Sequence, residues 1–341
     1  MQLKPVSEQV VVVAGASSGI GRETALRFAA RGAKTVVAAR SEPGLASLAG
    51  EIEALGGQAL HVACDVADFA QVQALAEAAV ARFGRIDTWV NNAAVSVYAL
   101  AEETKPEEYR RVMEVNYLGQ VHGALAALPY LRAAGGGALI AISSVESIVS
   151  LPLHAAYSAS KHAVEGFTDA LRRELMAEGA PVSVTSVKPG TINTPFFNNS
   201  RSKMDVKPKG PPPYYDPGVV ADCVLYAAEH PVRDLFAGGA AKSMAAAQMM
   251  APGLVDAALA RFGIPASRTG EPETQGQQGN LYEPRTGDNR TDGDFAGQAR
   301  RFSLYTWLET HPPAKTLALG GALLGTAFLF ARRREEHRRW G

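Results

Sequence analysis

Seven short runs of β-branched and apolar residues, separated by longer helix-forming stretches, constrain this chain more than any other feature in it. The runs are Val10–Ala14, Thr35–Ala39, Leu60–Ala63, Thr88–Asn91, Ala138–Ser143, Val182–Lys188 and a short one near Leu235–Ala237. Between them lie helical segments such as Gly21–Ala30, Phe69–Phe83, Pro106–Leu131, Ala155–Ala177 and Pro217–Glu229. A strand that is apolar throughout has no solvent face, so both faces of its sheet must be covered. Strands alternating with helices provide that cover and make the sheet parallel. The expected fold class is α/β, a doubly wound parallel sheet of about seven strands with helices on both faces.

Composition narrows the partners. Of 341 residues, 47% are hydrophobic, and Lys+Arg balance Asp+Glu at 34 each, so no basic surface excess points to nucleic acid. Cys64 and Cys223 are too few and too far apart for a disulfide framework or a zinc site, which suits a reducing compartment; no metal is expected. The opening MQLKPVSEQVVVVAG runs straight into a strand, without the long apolar stretch and cleavage site of a signal peptide. The catalytic domain is therefore expected in the cytoplasm.

The character changes after the sheet. Pro252–Phe262 reads as a short amphipathic helix with Val255, Leu259 and Phe262 on one face. Residues 266–297 are rich in Gly, Pro, Gln, Thr and Asp and lack periodicity, which predicts a disordered linker. Thr316–Ala331 is an uncharged run closed by Arg332, Arg333 and Arg334. The expected organisation is a catalytic and dinucleotide-binding domain over 1–264, a polar disordered linker over 265–303, and a C-terminal apolar helix with a basic tail over 304–341.

As a helix, Thr316–Ala331 would be about 24 Å long, short of a roughly 30 Å hydrocarbon core. Lys315 and the arginines could snorkel to stretch it. Yet those arginines prefer the cytosolic side, where the nucleotide-binding domain also sits. Membrane association is expected, as a spanning or an interfacial helix. The competing reading is a helix packed on another subunit.

The first strand runs into Gly15-Ala16-Ser17-Ser18-Gly19-Ile20-Gly21, and a helix follows. A sharp turn, close backbone approach to a pyrophosphate, and a helix N-terminus aimed at the anion all favour glycine there. The second strand ends at Arg40-Ser41 with no acidic residue to take a ribose 2′-hydroxyl. Arg40 can instead pair with a 2′-phosphate through its donor fork, helped by Ser41, which points to NADP (NADPH) over NAD.

The spacing GxxxGxG resembles the classical short-chain dehydrogenase/reductase family, a Rossmann-like group, with Ala14 in place of the family's usual Thr. In Tyr157-Ser158-Ala159-Ser160-Lys161, positions i and i+4 share a helix face, so phenol and ammonium can project into one space. Ser144 ends the fifth strand thirteen positions before Tyr157, and Asn116 lies in the preceding helix. Asn, Ser, Tyr and Lys in this order and spacing are similar to the family's catalytic set. Ser143 would point to the opposite face of its strand.

The resemblance implies roles. Tyr157 would be the general acid or base, and Ser144 would hydrogen-bond the substrate oxygen. Lys161 would hold the nicotinamide ribose and depress the tyrosine pKa, and Asn116 would anchor a proton-relaying water. It also implies that Asp65, beside Val66, contacts adenine, although Asp65 reads equally well as a helix N-cap. Asn91-Asn92-Ala93-Ala94 resembles the family's NNAG, with Ala94 in place of Gly. In Pro189-Gly190-Thr191-Ile192-Asn193-Thr194, Ile192 and Thr194 would engage the nicotinamide carboxamide.

The residues between Pro195 and Asp216, with Phe196, Phe197, Tyr214 and Tyr215, resemble the family's substrate lid, and their composition suggests a small lipophilic carbonyl/alcohol pair. His154 lies near the tyrosine, where a lone histidine is more often structural. The main expectation is an NADP(H)-linked oxidoreductase. The alternatives are a catalytically idle NADP-binding scaffold at a membrane and an epimerase. By resemblance a homo-oligomer is expected, pairing through Pro106–Leu131 and Ala155–Ala177.

Overall fold

The computed structural model describes residues 1–273, 279–285 and 287–317. Seven parallel strands form the central sheet: β1 (Val10–Ala14), β2 (Lys34–Ala39), β3 (Gln58–Ala63), β4 (Thr88–Asn91), β5 (Gly137–Ile142), β6 (Val182–Pro189) and β7 (Asp234–Ala237). Their order is β3-β2-β1-β4-β5-β6-β7. The chain builds outward from β1 to β3, then returns to the other side of β1 and builds outward again. That reversal between β1 and β4 leaves a crevice at the carboxyl ends of the strands, where ligands of such sheets bind.

The unbroken apolar run of β1 divides between two cores. Val11 and Val13 pack with Phe28, Leu45, Leu48, Val220 and Val224, while Val12 and Ala14 pack with Leu75, Leu131 and Leu175. The first core lies under helices α1 (Gly19–Ala30), α2 (Glu42–Ala54) and α7 (Pro217–Glu229). The second lies under α3 (Phe69–Phe83), α5 (Gly119–Ala133) and α6 (Ala155–Ala177). Alternate side chains of a strand point to opposite faces, so an all-apolar strand is what two covered faces require.

The helix expected over Pro106–Leu131 is not continuous. It consists of α4 (Pro106–Met113), a π-helical turn over Glu114–Leu118, and α5. Such turns often mark functional positions, and this one carries Asn116. Beyond the sheet, α8 (Gly239–Met250) and α9 (Pro252–Ala266) follow, and α9 is longer than the expected Pro252–Phe262.

The stretch expected to be a disordered linker takes a definite course where it is described. Arg268–Pro272 pairs antiparallel with Val206–Pro208, Leu281 is fully buried, and Arg300 exchanges backbone hydrogen bonds with Tyr214 and Asp216. Its low apolar content hides this, because most of its fastening is by main chain. A further helix, α10 (Leu304–Thr310), opens on a Ser303 cap and reaches β7, where Gly238 N donates to Thr306 Oγ1 at 2.9 Å. Of the apolar run Thr316–Ala331, all but Thr316 and Leu317 lie outside the described residues, as does the basic tail. Among the described residues no helix is long and apolar enough to cross a membrane.

Candidate active site

The crevice contains a cavity of about 440 Å³ that runs from the end of β2 to the N-terminus of α6. At its centre is the glycine loop. Gly15 has φ +90°, and a Cβ there would stand 2.5 Å from Ala93 Cα; a Cβ on Gly21 would stand 2.6 Å from Asn92 Nδ2. The loop is therefore pressed against the end of β4, and Asn92 Nδ2 fastens it by donating to Gly15 O at 2.7 Å. Asn91 steadies the sheet, accepting from Trp89 Nε1 and donating to Gln120 O. Ala94 needs no left-handed backbone, since Leu153 (φ 67°) is the one non-glycine residue with positive φ among those described.

Side chains cap α2 and α3, through Ser41 and Asp68, but none caps α1. A helix N-terminus that no side chain caps, at the bottom of a cleft, suits an anion, although its Gly19 N already donates to Arg290 O. With the glycine loop, which Gly15 and Gly21 let pack tightly against the end of β4, it fits a dinucleotide pyrophosphate. Asp68 accepts from Ala70 N and Gln71 N, so the helix-cap reading of Asp65 gives way. Asp65 instead pairs with Arg111 at 2.5 Å and faces the cavity near Arg40. Arg40 donates to Tyr282 O at 2.7 Å and to Asn280 O at 2.5 Å.

At the other end, Tyr157 and Lys161 emerge one turn apart on α6 and meet Ser144 at the end of β5. Ser144 Oγ accepts from Glu146 N at 3.1 Å and lies close enough to Tyr157 to favour its ionised form. Ser143 Oγ is buried without a partner. Lys161 Nζ donates to Ile142 O at 2.8 Å and lies 5.4 Å from the Tyr157 ring centroid. Burial lowers the Lys161 ammonium to about 8, against the opposing pull of Glu146 and Glu165. The expected depression of the tyrosine is not what these groups produce by themselves. Burial and then Glu146 push the Tyr157 phenol up, and only the Ser144 hydrogen bond pulls it down.

Behind the tyrosine stands a group that the sequence does not single out. Glu146 is buried, accepts from Ser158 Oγ at 2.7 Å, and lies 2.9 Å from His154 Nδ1. His154 Nε2 lies 2.6 Å from Ser96 Oγ, and its ring stacks on Tyr157 with centroids 4.8 Å apart. A carboxylate at this depth is retained only when paired and hydrogen-bonded. The signal was Glu146 two positions after Ser144 and eight before His154, but nothing in the spacing says that the loop folds beneath Tyr157.

The other expected residues fall into place unevenly. Ser17, Ser18, Gly19, Ile20, Ser41, Val66, Ala93, Pro189, Gly190, Ile192 and Thr194 all line the cavity with those above. Gly21 lies beneath the loop rather than at its surface. Asn116 is fully buried; it exchanges hydrogen bonds with the Val95 backbone and donates to Ser160 Oγ at 3.0 Å. In this position it ties the loop after β4 to α6.

A family model described as short chain dehydrogenase matches residues 9–205. The "Uncharacterized oxidoreductase YxnA" of Bacillus subtilis is 36% identical over 332 residues, 96% of this chain and 92% of its own length. Among solved structures, a short chain dehydrogenase/reductase from Burkholderia phymatum in complex with NAD has a TM-score of 0.66 at 26% identity. It covers 74% of this chain and 96% of its own. An alcohol dehydrogenase from Thermococcus sibiricus complexed with 5-hydroxy-NADP has a TM-score of 0.58 at 28% identity, covering 67% of this chain and 95% of its own.

Proposed function

This chain belongs to the short-chain dehydrogenase family of oxidoreductases acting on alcohol and carbonyl groups, and from that premise we propose an NADP(H)-dependent enzyme for a small lipophilic carbonyl/alcohol pair. The observation that carries the reading is the convergence of Ser144, Tyr157 and Lys161 at one end of a cavity whose other end holds Arg40.

When bound, the nicotinamide supplies or accepts the hydride. Tyr157 Oη holds the proton that the substrate oxygen gains on reduction and loses on oxidation. The Ser144 hydroxyl holds that oxygen and steadies the charge that grows on it. Lys161, anchored on Ile142 O, sets a positive charge behind the phenol. Glu146 and His154 hold the tyrosine ring from its other side. Asn116 positions rather than reacts, by locking α6 to the Val95 loop.

The absence of an acid at the end of β2 supports NADP, because an arginine fork with a neighbouring hydroxyl is the complement of a 2′-phosphate. Tyr98, Phe196, Phe197, Leu151, Pro152 and Met244 wall the substrate end and support an apolar substrate. Leu118 and Leu125, on the π-helical turn and α5, and Met176, on α6, are exposed and support pairing of subunits through these helices.

The test is NADPH against NADH oxidation by the full chain over a panel of apolar aldehydes, ketones and quinones. Turnover with NADPH at several times the NADH rate is expected. An NADH preference would remove the role given to Arg40.

A further inference from the structure

The segment after α9 does something at the cleft that the family match, ending at residue 205, does not cover. Its described residues between Gly279 and Phe295 cross the whole dinucleotide cleft and are fastened at three places. At the adenine-ribose end, the carbonyls of Asn280 and Tyr282 take both Nη groups of Arg40. Buried Leu281 sits in the core below, and its carbonyl accepts from Arg111 Nε at 3.1 Å. In the middle, Gly19 N of the glycine loop donates to Arg290 O at 3.0 Å. Asn289 Oδ1 occupies the space beside Gly44 that a side chain there would need.

At the nicotinamide end, Gly293 N donates to Asn193 O at 3.2 Å and Phe295 N to Asn193 Oδ1 at 2.8 Å. A Cβ on Gly293 would lie 2.5 Å from Thr194 O, so the chain rests directly on the loop after β6. Phe295 then stacks on Tyr214, with centroids 4.5 Å apart and planes at 14°. Between the anchors, Arg290 pairs with Asp288 and Asp294, which stiffens the crossing.

The cavity is not filled by this crossing. It continues beneath, and Pro284, Arg285, Asp288 and Asn289 form part of its wall. A roof with open space below holds a ligand in, whereas a plug would fill that space. We propose that this segment is a cofactor-retaining strap: it encloses the bound dinucleotide, and the dinucleotide exchanges only when the strap lifts. Asn289 adds a wall residue beside Ser41 at the phosphate-bearing end, while the Arg285 guanidinium reaches Asn198 O. The proposal rests on the dinucleotide reading above.

The experiment is stopped-flow release of NADPH, followed by its fluorescence, from the full chain and from Phe295→Ala, which removes the stacked anchor but no cavity-wall residue. Trypsin cleavage after Arg285 and Arg290 reports on the strap itself. In the wild type, saturating NADPH should slow that cleavage. In Phe295→Ala, cleavage should quicken and NADPH should leave about tenfold faster, since affinity changes at a fixed site fall mostly in the off-rate. Asp294→Asn, which loosens Arg290 and Asn198 without removing an aromatic ring, should show the same effect in smaller measure. Quickened cleavage with an unchanged release rate overturns the strap, and so does tighter NADPH binding in either variant. Failure of the wild type to bind NADPH or NADH overturns the function reading and the strap with it.

Discussion

The two ends of the cavity are built on different principles. At the substrate end, Ser144, Tyr157 and Lys161 stand on a strand terminus and a long helix, and the groups behind them are buried side chains paired with one another. At the adenine end, Arg40 and Asp65 sit on loops; Arg40 is held by backbone carbonyls of a distant segment and Asp65 by an ion pair to Arg111. Chemistry needs groups fixed to fractions of an ångström and pKa values set by burial. Selection between two cofactors needs only a charge in reach of a phosphate. The contrast explains why the first end uses regular elements and the second can use a strap.

The adenine end is tested through affinity. Arg40→Ala should weaken NADPH binding by about 10- to 100-fold more than NADH binding, the range of a lost charge-assisted pair, on top of a smaller loss that both cofactors share because the strap loses an anchor. Titration of both cofactors checks it. Equal losses for both would mean that Arg40 anchors the strap and does not read the phosphate.

The charged groups behind Tyr157 give a smaller effect, read in pH. Because Lys161 is lowered to about 8 from 10.5, its ammonium is present below pH 8 and lost above, so turnover should fall on the basic side near that pH. The same shift has a stability consequence of definite sign. Between pH 8 and 10.5 the unfolded chain binds a proton that the folded chain has released, so the fold gains stability as pH rises through that window. Glu146 favours the charged lysine, so Glu146→Gln should move the basic limb of the rate profile to lower pH, by less than about one unit. A profile unmoved by Glu146→Gln would leave Glu146 as packing alone.

The same contrast explains what could be read from residues alone. Val10–Ala14 declared a two-faced strand because every position is apolar, and the glycine loop declared its turn because side chains would collide there. Tyr157 and Lys161 were legible because helix geometry fixes i and i+4 on one face. Glu146 was not, since its partners His154 and Ser158 come together only through the loop after β5. The strap was not legible either. Composition reports apolar content, and this segment needs only Leu281 and Phe295 as apolar anchors while carbonyls and amides do the rest. Asn116 was found by its order and spacing with Ser144, Tyr157 and Lys161, yet its hydrogen bonds run to Val95 and Ser160 and not into the cavity.

The central claim is that the Tyr157 phenol carries the proton. It is tested most directly by measuring, on one sample of Tyr157→Phe, the rate of NADPH-dependent carbonyl reduction and the NADPH affinity. The account predicts a loss of about 10²- to 10⁴-fold in turnover, the usual contribution of a positioned acid or base, with NADPH affinity within about twofold of wild type. Turnover close to wild type with the phenol gone would contradict it.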